Sequence, residues 1–286
     1  MAVIGVISRH GTARRDPLSL VTRQVVEAFE RDGAVWIPGL LSPTWMNLIA
    51  HGVQRNLNSP GPHLIKHFAG EPGEYHDDFG NYRVVPEYQR LLADSPIVDV
   101  MAKVLRTEKL WLFLDQIFVK EGGYARRTPW HQDIPWLMAD GAQFATMWIA
   151  LQPLAKEETL EFIAGSHRGP VYDHAVESTG DEVRAIAAPK LPDIERERPR
   201  WPIVSHASQP GDVLIFHPQT LHGGGEMREG GRRRSLNLRF FGEDARYVER
   251  EAGHSPEFPG VAEVLRPGDL LRHPWFPQVL PRAIAR

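Results

Sequence analysis

Thr128-Pro129-Trp130-His131-Gln132-Asp133-Ile134-Pro135-Trp136 sets an imidazole and a carboxylate two positions apart among prolines and tryptophans. In a β-strand, residues i and i+2 point to the same face, so His131 and Asp133 are expected to project together. Far downstream, Phe216-His217-Pro218-Gln219-Thr220-Leu221-His222-Gly223-Gly224-Gly225 brings in a second histidine. Two histidines and one carboxylate on one side of a metal, with the other positions open, are the donor set of non-haem Fe(II) oxygenases. Residues 131, 133 and 222 are read as that triad, at once the metal ligands and the catalytic centre.

Two rivals occur in the same chain. His76-Asp77-Asp78 repeats the His-x-Asp spacing, but it stands in Gly73-Glu74-Tyr75-His76-Asp77-Asp78-Phe79-Gly80, which reads as polar loop. His217 competes with His222. In a continuous strand their odd spacing puts them on opposite faces, although Pro218 interrupts. The three glycines after His222 allow close backbone approach, useful where a ligand must reach a metal.

Around these motifs the chain reads as mainly β with flanking helices. Its 286 residues suffice for one large domain with a substantial core. The 24 prolines and 25 glycines punctuate it with turns, which disfavours a helical bundle. The expected division is a helical support over 17–106, a barrel core over 107–245 and a proline-rich tail over 246–286, all in one domain. Helices are expected over 18–31 (stopped by Gly33), from Ser42-Pro43 to about 56, and over 86–92 and 96–105. Strands are expected over 34–37, 110–119, 144–151, 160–164, 212–216 and 235–241, and such short strands imply a sandwich or barrel. Segment 57–83 reads as a loop, and 169–209 as a polar insertion.

Composition removes several functions. There are no cysteines, which excludes disulfides, thiolate zinc and iron–sulfur clusters. Charge is near balance, 33 Lys+Arg against 36 Asp+Glu, so neither nucleic acid nor an anionic membrane is an expected partner. No stretch has the length of a membrane span, and a soluble, cytoplasmic protein is expected. A homo-oligomer remains open.

An anion anchor follows the distal histidine. In Arg233-Arg234-Ser235-Leu236-Asn237-Leu238-Arg239-Phe240 one face is apolar and the other carries Arg233, Ser235, Asn237 and Arg239. A polar face inside a barrel is unusual unless it binds something. Arg233 with Ser235 suits a carboxylate, because a guanidinium fork matches its two oxygens. Arg232 reads as solvated.

Trp130-His131-Gln132-Asp133, Met147-Trp148-Ile149-Ala150-Leu151, Leu160-Glu161-Phe162-Ile163-Ala164-Gly165-Ser166-His167, then Pro210-Gly211-Asp212 leading to His222-Gly223 and Arg233, come in an order that resembles the phytanoyl-CoA dioxygenase family of Fe(II)/2-oxoglutarate oxygenases. The resemblance covers roughly residues 20–245. It implies a double-stranded β-helix, the cupin-like jelly roll. It implies iron on His131, Asp133 and His222, with 2-oxoglutarate and O2 as co-substrates. The arginine eleven residues after the distal histidine is Arg233, and the family's co-substrate pocket also uses positions matching Trp148 and Gln116. Gly224 stands where relatives often carry serine. Glu157-Glu158-Thr159-Leu160 replaces the more usual Asn-Gly turn. Family members that halogenate lack the carboxylate ligand, so Asp133 disfavours halogenation.

The implied function is that of an oxidoreductase hydroxylating a small, partly apolar molecule, with release of succinate and CO2. The alternatives are the same centre performing desaturation, cyclisation or epimerisation, or a jelly roll that only binds small molecules. A cupin-type isomerase or hydrolase would want a His-x-His pair, which the sequence lacks. Tyr75, Phe79, Trp136 and Met138 are candidate apolar walls, and Arg126 and Arg239 candidate partners of an anionic substrate group.

Overall fold

Capping chemistry sets the start of the chain, where one helix was expected and two form. Asp16 caps α1 (Pro17–Leu20), and the Thr22 hydroxyl accepts from Val25 N at 3.4 Å to begin α2 (Arg23–Asp32). Val21 ends the first helix and Thr22 starts the next, as its hydroxyl's competition for backbone N–H groups favours. Gly33, at φ 76°, closes α2 and turns the chain into β1 (Ala34–Ile37). Pro43 at the first helical position opens α3 (Pro43–Asn58), and α4 (Pro86–Asp94) and α5 (Ile97–Val104) complete the helical layer. The computed structural model describes residues 16–67, 69–70, 74–121, 127–173, 187–227, 231–250 and 256–282.

Segment 57–83 is not the loop its sequence suggests. It contains β2 (Ile65–His67) and β3 (Tyr75–Phe79), which pair antiparallel with each other, while β3 pairs with β4 (Leu110–Glu121). Polar residues on both faces of β3 erased the hydrophobic alternation. Asp77 and Asp78, neighbours in sequence, are both buried and both hydrogen-bonded, Asp78 accepting from Asn56 Nδ2 and Gly61 N at 2.7 Å each.

The remaining strands are β5 (Thr128–His131), β6 (Ala139–Asp140), β7 (Phe144–Ala150), β8 (Leu160–Ile163), β9 (Ile203–Val204), β10 (Val213–Phe216), β11 (His222–Gly224), β12 (Arg232–Phe241), β13 (Arg246–Tyr247) and, after the short helix α6 (Val261–Val264), β14 (Gln278–Leu280). They make an eight-stranded sheet in the order β1-β10-β7-β12-β4-β3-β2, with β14 also on β4. A four-stranded sheet runs β5-β11-β8-β9, and β13 pairs with β6. This is the jelly roll. The N-terminal segment is more than helical support, since it supplies three strands of the large sheet. The end of the 169–209 insertion likewise supplies β9.

Strand β12 shows why the large sheet must be covered on both sides. Leu236, Leu238 and Phe240 are fully buried with Ile117, Val119, Met147 and Ile149 in the core beneath the helices. Each such side chain contributes roughly 2–3 kcal/mol. The opposite face carries Arg233, Ser235, Asn237 and Arg239, none more than 8% exposed. A second cluster joins Phe113, Phe144 and Phe241 to Leu265, Leu271 and Phe276 of the tail, with Phe113 stacked on Phe276 at 5.2 Å. No helix among the described residues is long and apolar enough to cross a membrane.

Candidate active site

His131 ends β5 and His222 begins β11, and the two are direct partners across the antiparallel pair. Their rings lie 4.1 Å apart, centroid to centroid. Asp133 reaches them by a route different from the one expected. The strand stops at His131, and Asp133 has helical dihedrals (φ −76°, ψ −31°) ahead of a 3-10 turn over Ile134–Trp136. The chain bends the carboxylate back instead of projecting it two residues along a strand. Pro135 in that turn and the carbonyl of Pro218 explain the bend: Asp133 N and Ile134 N both donate to Pro218 O, at 2.8 and 3.1 Å. The loop before His222 thus holds the turn that carries Asp133.

One carboxylate oxygen serves both histidines. Asp133 Oδ1 is 3.6 Å from His131 Nε2 and 3.9 Å from His222 Nε2, and one donor atom from each of the three residues lies within 4.8 Å of the others. Each imidazole has its other nitrogen on the carbonyl two residues back, His131 Nδ1 on Pro129 O and His222 Nδ1 on Thr220 O, both at 2.9 Å. A carbonyl only accepts, so Nδ1 carries the proton and Nε2 keeps its lone pair for a cation. Burial, with the His131 ring beside it, pushes His222 down to about 3, so it stays neutral at ordinary pH.

Arg239 completes the set. Its Nη2 donates to Asp133 Oδ2 at 2.9 Å and its Nε to Thr146 Oγ1 at 3.3 Å. Burial alone would raise the Asp133 carboxyl, but the Arg239 guanidinium and the two histidines outweigh it and hold it well below the usual carboxylate range. With Oδ2 committed to Arg239, Oδ1 is the oxygen turned to the histidines. Expected to meet an anion on a substrate, Arg239 instead meets the protein's own carboxylate. Two imidazole nitrogens and one ionised carboxylate oxygen, each oriented by a second partner, fit a divalent transition metal.

The anion anchor lies farther along the same face. Arg233 is 6% exposed, and its hydrogen bonds among the described residues end on neutral carbonyls, Glu158 O at 2.6 Å and Gly225 O at 3.4 Å. Burial pushes the guanidinium down to about 10, which leaves it charged. Lys120, its cross-strand partner, is also buried and bonds Thr128 Oγ1 at 2.9 Å, its ammonium 4.4 Å from the centre of the Tyr75 ring. Burial first and then Arg233 push this lysine well below its ordinary value. A buried guanidinium whose hydrogen bonds end on neutral carbonyls makes a site for an anion.

Gly224 belongs to this end. A Cβ there would stand 2.9 Å from both Arg233 Nη2 and Thr128 Oγ1. The room a serine would use is taken by the threonine of the neighbouring strand. Ser235 is 1% exposed and Trp148 3%, both on this inner face, Trp148 directly opposite Asn237. Gln116 pairs with Asn237 from the other side.

The rival residues have other partners. His217 accepts from Gln219 N and bonds Gly141 O, both at 3.1 Å, so its two ring nitrogens are committed. Among the described residues the three-residue metal cluster found is His131, Asp133 and His222, without His76 or Asp78. Met138 packs in the tail-side core with Ile134 and Leu137, and Phe79 stacks on His63 at 4.5 Å. Arg126 lies outside the described residues. Gln132 escaped notice in the sequence. It is fully buried and ties Pro170 O, Gln219 O and Tyr172 N together, bracing the turn between the two ligands. Arg239, Lys120 and Thr128 were missed as partners because their roles depend on register, which no local pattern reveals.

The model of the phytanoyl-CoA dioxygenase (PhyH) family matches residues 29–235. A probable alpha-ketoglutarate-dependent hypophosphite dioxygenase of Stutzerimonas stutzeri is 30% identical over 190 residues, covering 61% of this chain and 63% of that protein. A probable phytanoyl-CoA dioxygenase of Caenorhabditis elegans is 28% identical over 61% of this chain and 56% of its own length. The chain thus spans about three-fifths of the length of the curated relatives it matches. Among solved structures, the epimerase SnoN of nogalamycin biosynthesis superposes with a TM-score of 0.71 at 23% identity, covering 92% of this chain and 99% of that one. EctD of S. alaskensis gives 0.63 at 19%, covering 93% and 92%. At such identity these two bear on the fold alone.

Proposed function

This chain belongs to the phytanoyl-CoA dioxygenase family, and from that premise we propose that it is an Fe(II)- and 2-oxoglutarate-dependent oxygenase that hydroxylates a small organic molecule. The observation that carries the reading is the convergence of His131 Nε2, His222 Nε2 and Asp133 Oδ1, each turned inward by a second hydrogen bond. These residues would hold the iron. Iron(II) with 2-oxoglutarate and O2 supplies the oxidising power, and succinate and CO2 are the by-products.

The chain's own groups do the rest. Pro129 O and Thr220 O keep the Nε2 lone pairs aimed at one point, and Arg239 keeps Asp133 ionised with one oxygen free. With three protein donors, a bound ion would keep further positions for small ligands. Arg233 binds the far carboxylate of 2-oxoglutarate, with Ser235 beside it and the Lys120 amine as a neighbouring hydrogen-bond donor, and Trp148 walls that space from the helical core. Excluding water there strengthens each of these interactions. The reading assigns the whole chain to one domain.

The test is a titration of metal-free protein with Fe(II) and then 2-oxoglutarate without oxygen, followed by the visible absorption of the chelate. The expected result is a saturable band needing both additions, absent in Asp133→Ala. Iron uptake without the band would refute the oxygenase reading and leave a metal centre of another kind. Failure to bind iron would make the barrel a binding module.

A further inference from the structure

We infer that a ring of charged side chains on the outer face of the small sheet, Arg127, Glu161, Glu195 and Arg198, acts with Trp130 to position the strand that carries His131, and so sets the affinity of the metal centre. The inference rests on reading His131, Asp133 and His222 as metal ligands.

Strand β5 is poorly held by its own ladder. It is the outer strand of the small sheet, paired with β11. The pairing joins His131 to His222 and Thr128 to Gly224, so β5 carries one residue more than β11 between them. Such a bulge breaks the ladder and re-aims side chains, and Pro129 within it has no N–H to give. The bulge lets both Thr128 and His131 face inward, Thr128 to Lys120 Nζ at 2.9 Å and His131 to the other two ligands. The His131 ring is tied to its own strand through Pro129 O. Its Nε2 therefore moves wherever β5 moves.

The residues between and beside these two are gripped from outside. Phe162 of β8 stacks on His222 on the inner side, so Glu161 and Ile163 face outward. Trp130 is 5% exposed and packs with Ile163, Leu221 and Ile194. Its Nε1 donates to Glu195 Oε1 at 2.5 Å. Arg127 pairs with Glu161 and, at 2.9 Å, with Glu195. Arg198 pairs with the same two carboxylates, at 2.6 and 3.1 Å. Positive and negative groups thus alternate around a closed ring. Two members, Arg127 and Glu161, belong to the small sheet, and two, Glu195 and Arg198, to the described end of the 169–209 insertion. Burial alone would raise the Glu161 carboxyl, but Arg198 and Arg127 outweigh it and hold it below its usual value. The insertion is therefore a strap across the back of the sheet, fastened next to Thr128 through Arg127 and next to His131 through Trp130.

Three of the four ring members keep between 29% and 47% of the side chain exposed. Ion pairs so exposed add little to global stability. Position is another matter. A metal–ligand distance tolerates only about 0.2 Å of misplacement, so slack in a bulged outer strand is read directly as lost affinity.

The test titrates Mn(II) into the full, metal-free chain under native conditions, with the free ion counted by electron paramagnetic resonance. Glu195→Gln removes charge from the ring at constant size. Trp130→Phe removes the indole N–H and keeps an aromatic ring, and it carries the test should Glu195→Gln fail to fold. Each is expected to raise Kd about fivefold or more. Arg55→Gln, which breaks the Arg55–Glu87 pair at 2.9 Å in the helical layer, is expected to stay within about twofold of wild type. Co(II) at saturation adds a readout that stability does not move: its visible absorption is expected to differ from wild type in both ring variants and to match it in Arg55→Gln. Mn(II) affinity within about twofold of wild type in both ring variants overturns the inference and leaves the metal reading standing. A weaker Kd with an unchanged Co(II) spectrum and a lowered urea midpoint overturns it too, since the ring then only stabilises the fold. If wild type takes up no ion, the metal reading falls and the inference falls with it.

Discussion

Replacing Arg239 with leucine should destabilise the metal-free protein far more than the metal-bound one. Arg239 Nη2 and Asp133 Oδ2 are 2.9 Å apart, with both side chains about nine-tenths buried. At an effective dielectric of ~20 their Coulomb attraction is roughly 6 kcal/mol, and removing one partner of such a pair typically costs about 3–5 kcal/mol because the other charge is left buried and uncompensated. Urea unfolding in the presence of a chelator should show Arg239→Leu less stable by about that amount, with the urea slope unchanged as a check that the same surface is exposed. Mn(II), a redox-quiet divalent ion, restores positive charge at Asp133 and should remove about half of the deficit or more, since an ion that binds only the folded state stabilises it. A deficit under about 1 kcal/mol, or one that saturating Mn(II) leaves intact, would show that Arg239 does not balance Asp133 and would sink the account of how that carboxylate is held.

Two further outcomes follow. Gly224→Ser should destabilise by about 1–3 kcal/mol, because the new Cβ falls 2.9 Å from Thr128 Oγ1 and Arg233 Nη2; adding Thr128→Ala should recover part of this, and strict additivity of the two changes in a thermal-unfolding cycle would mean they do not share that space. His217 is pushed down to about 4 by burial, its Nδ1 accepting from Gln219 N. A depressed histidine stabilises fully above its unfolded value near 6.5 and loses that contribution as pH falls toward 4. Wild type should therefore lose on the order of 3 kcal/mol more than His217→Gln between pH 7 and 4, and parallel pH profiles would contradict it.

What the sequence revealed depended on whether the signal was local. His131 and His222 were legible because glycines, prolines and aromatics frame them. The alternation of β12 was legible because Leu236 and Leu238 are apolar and Ser235 and Asn237 are not. Asp133 lies with the two histidines, but in a conformation other than the expected strand: the bend toward them comes from Pro218, 85 positions downstream, whose carbonyl takes its backbone N–H. Strands β2 and β3 were invisible because Asp77 and Asp78 are buried through partners in other segments. Arg239 was seen, and its partner was not, because only the crossing of the two sheets brings it to Asp133. Gly224 was noticed as a departure from relatives, yet its compensation by Thr128 lies on another strand.

The pairing of His131 with His222 also bears on how the centre comes into being. The two residues are about ninety positions apart, and closing a loop of that length costs on the order of 4 kcal/mol before any contact repays it. No local segment, however well ordered, carries all three donors. Capacity for the ion therefore arises in a single event, the zipping of β11 onto β5. A chain that has finished β5 and not yet β11 holds His131 and Asp133 without the partner that fixes Asp133's backbone. For this protein, uptake of a divalent ion is a measure of topological closure, and a destabilised variant should lose the ion in step with its small sheet.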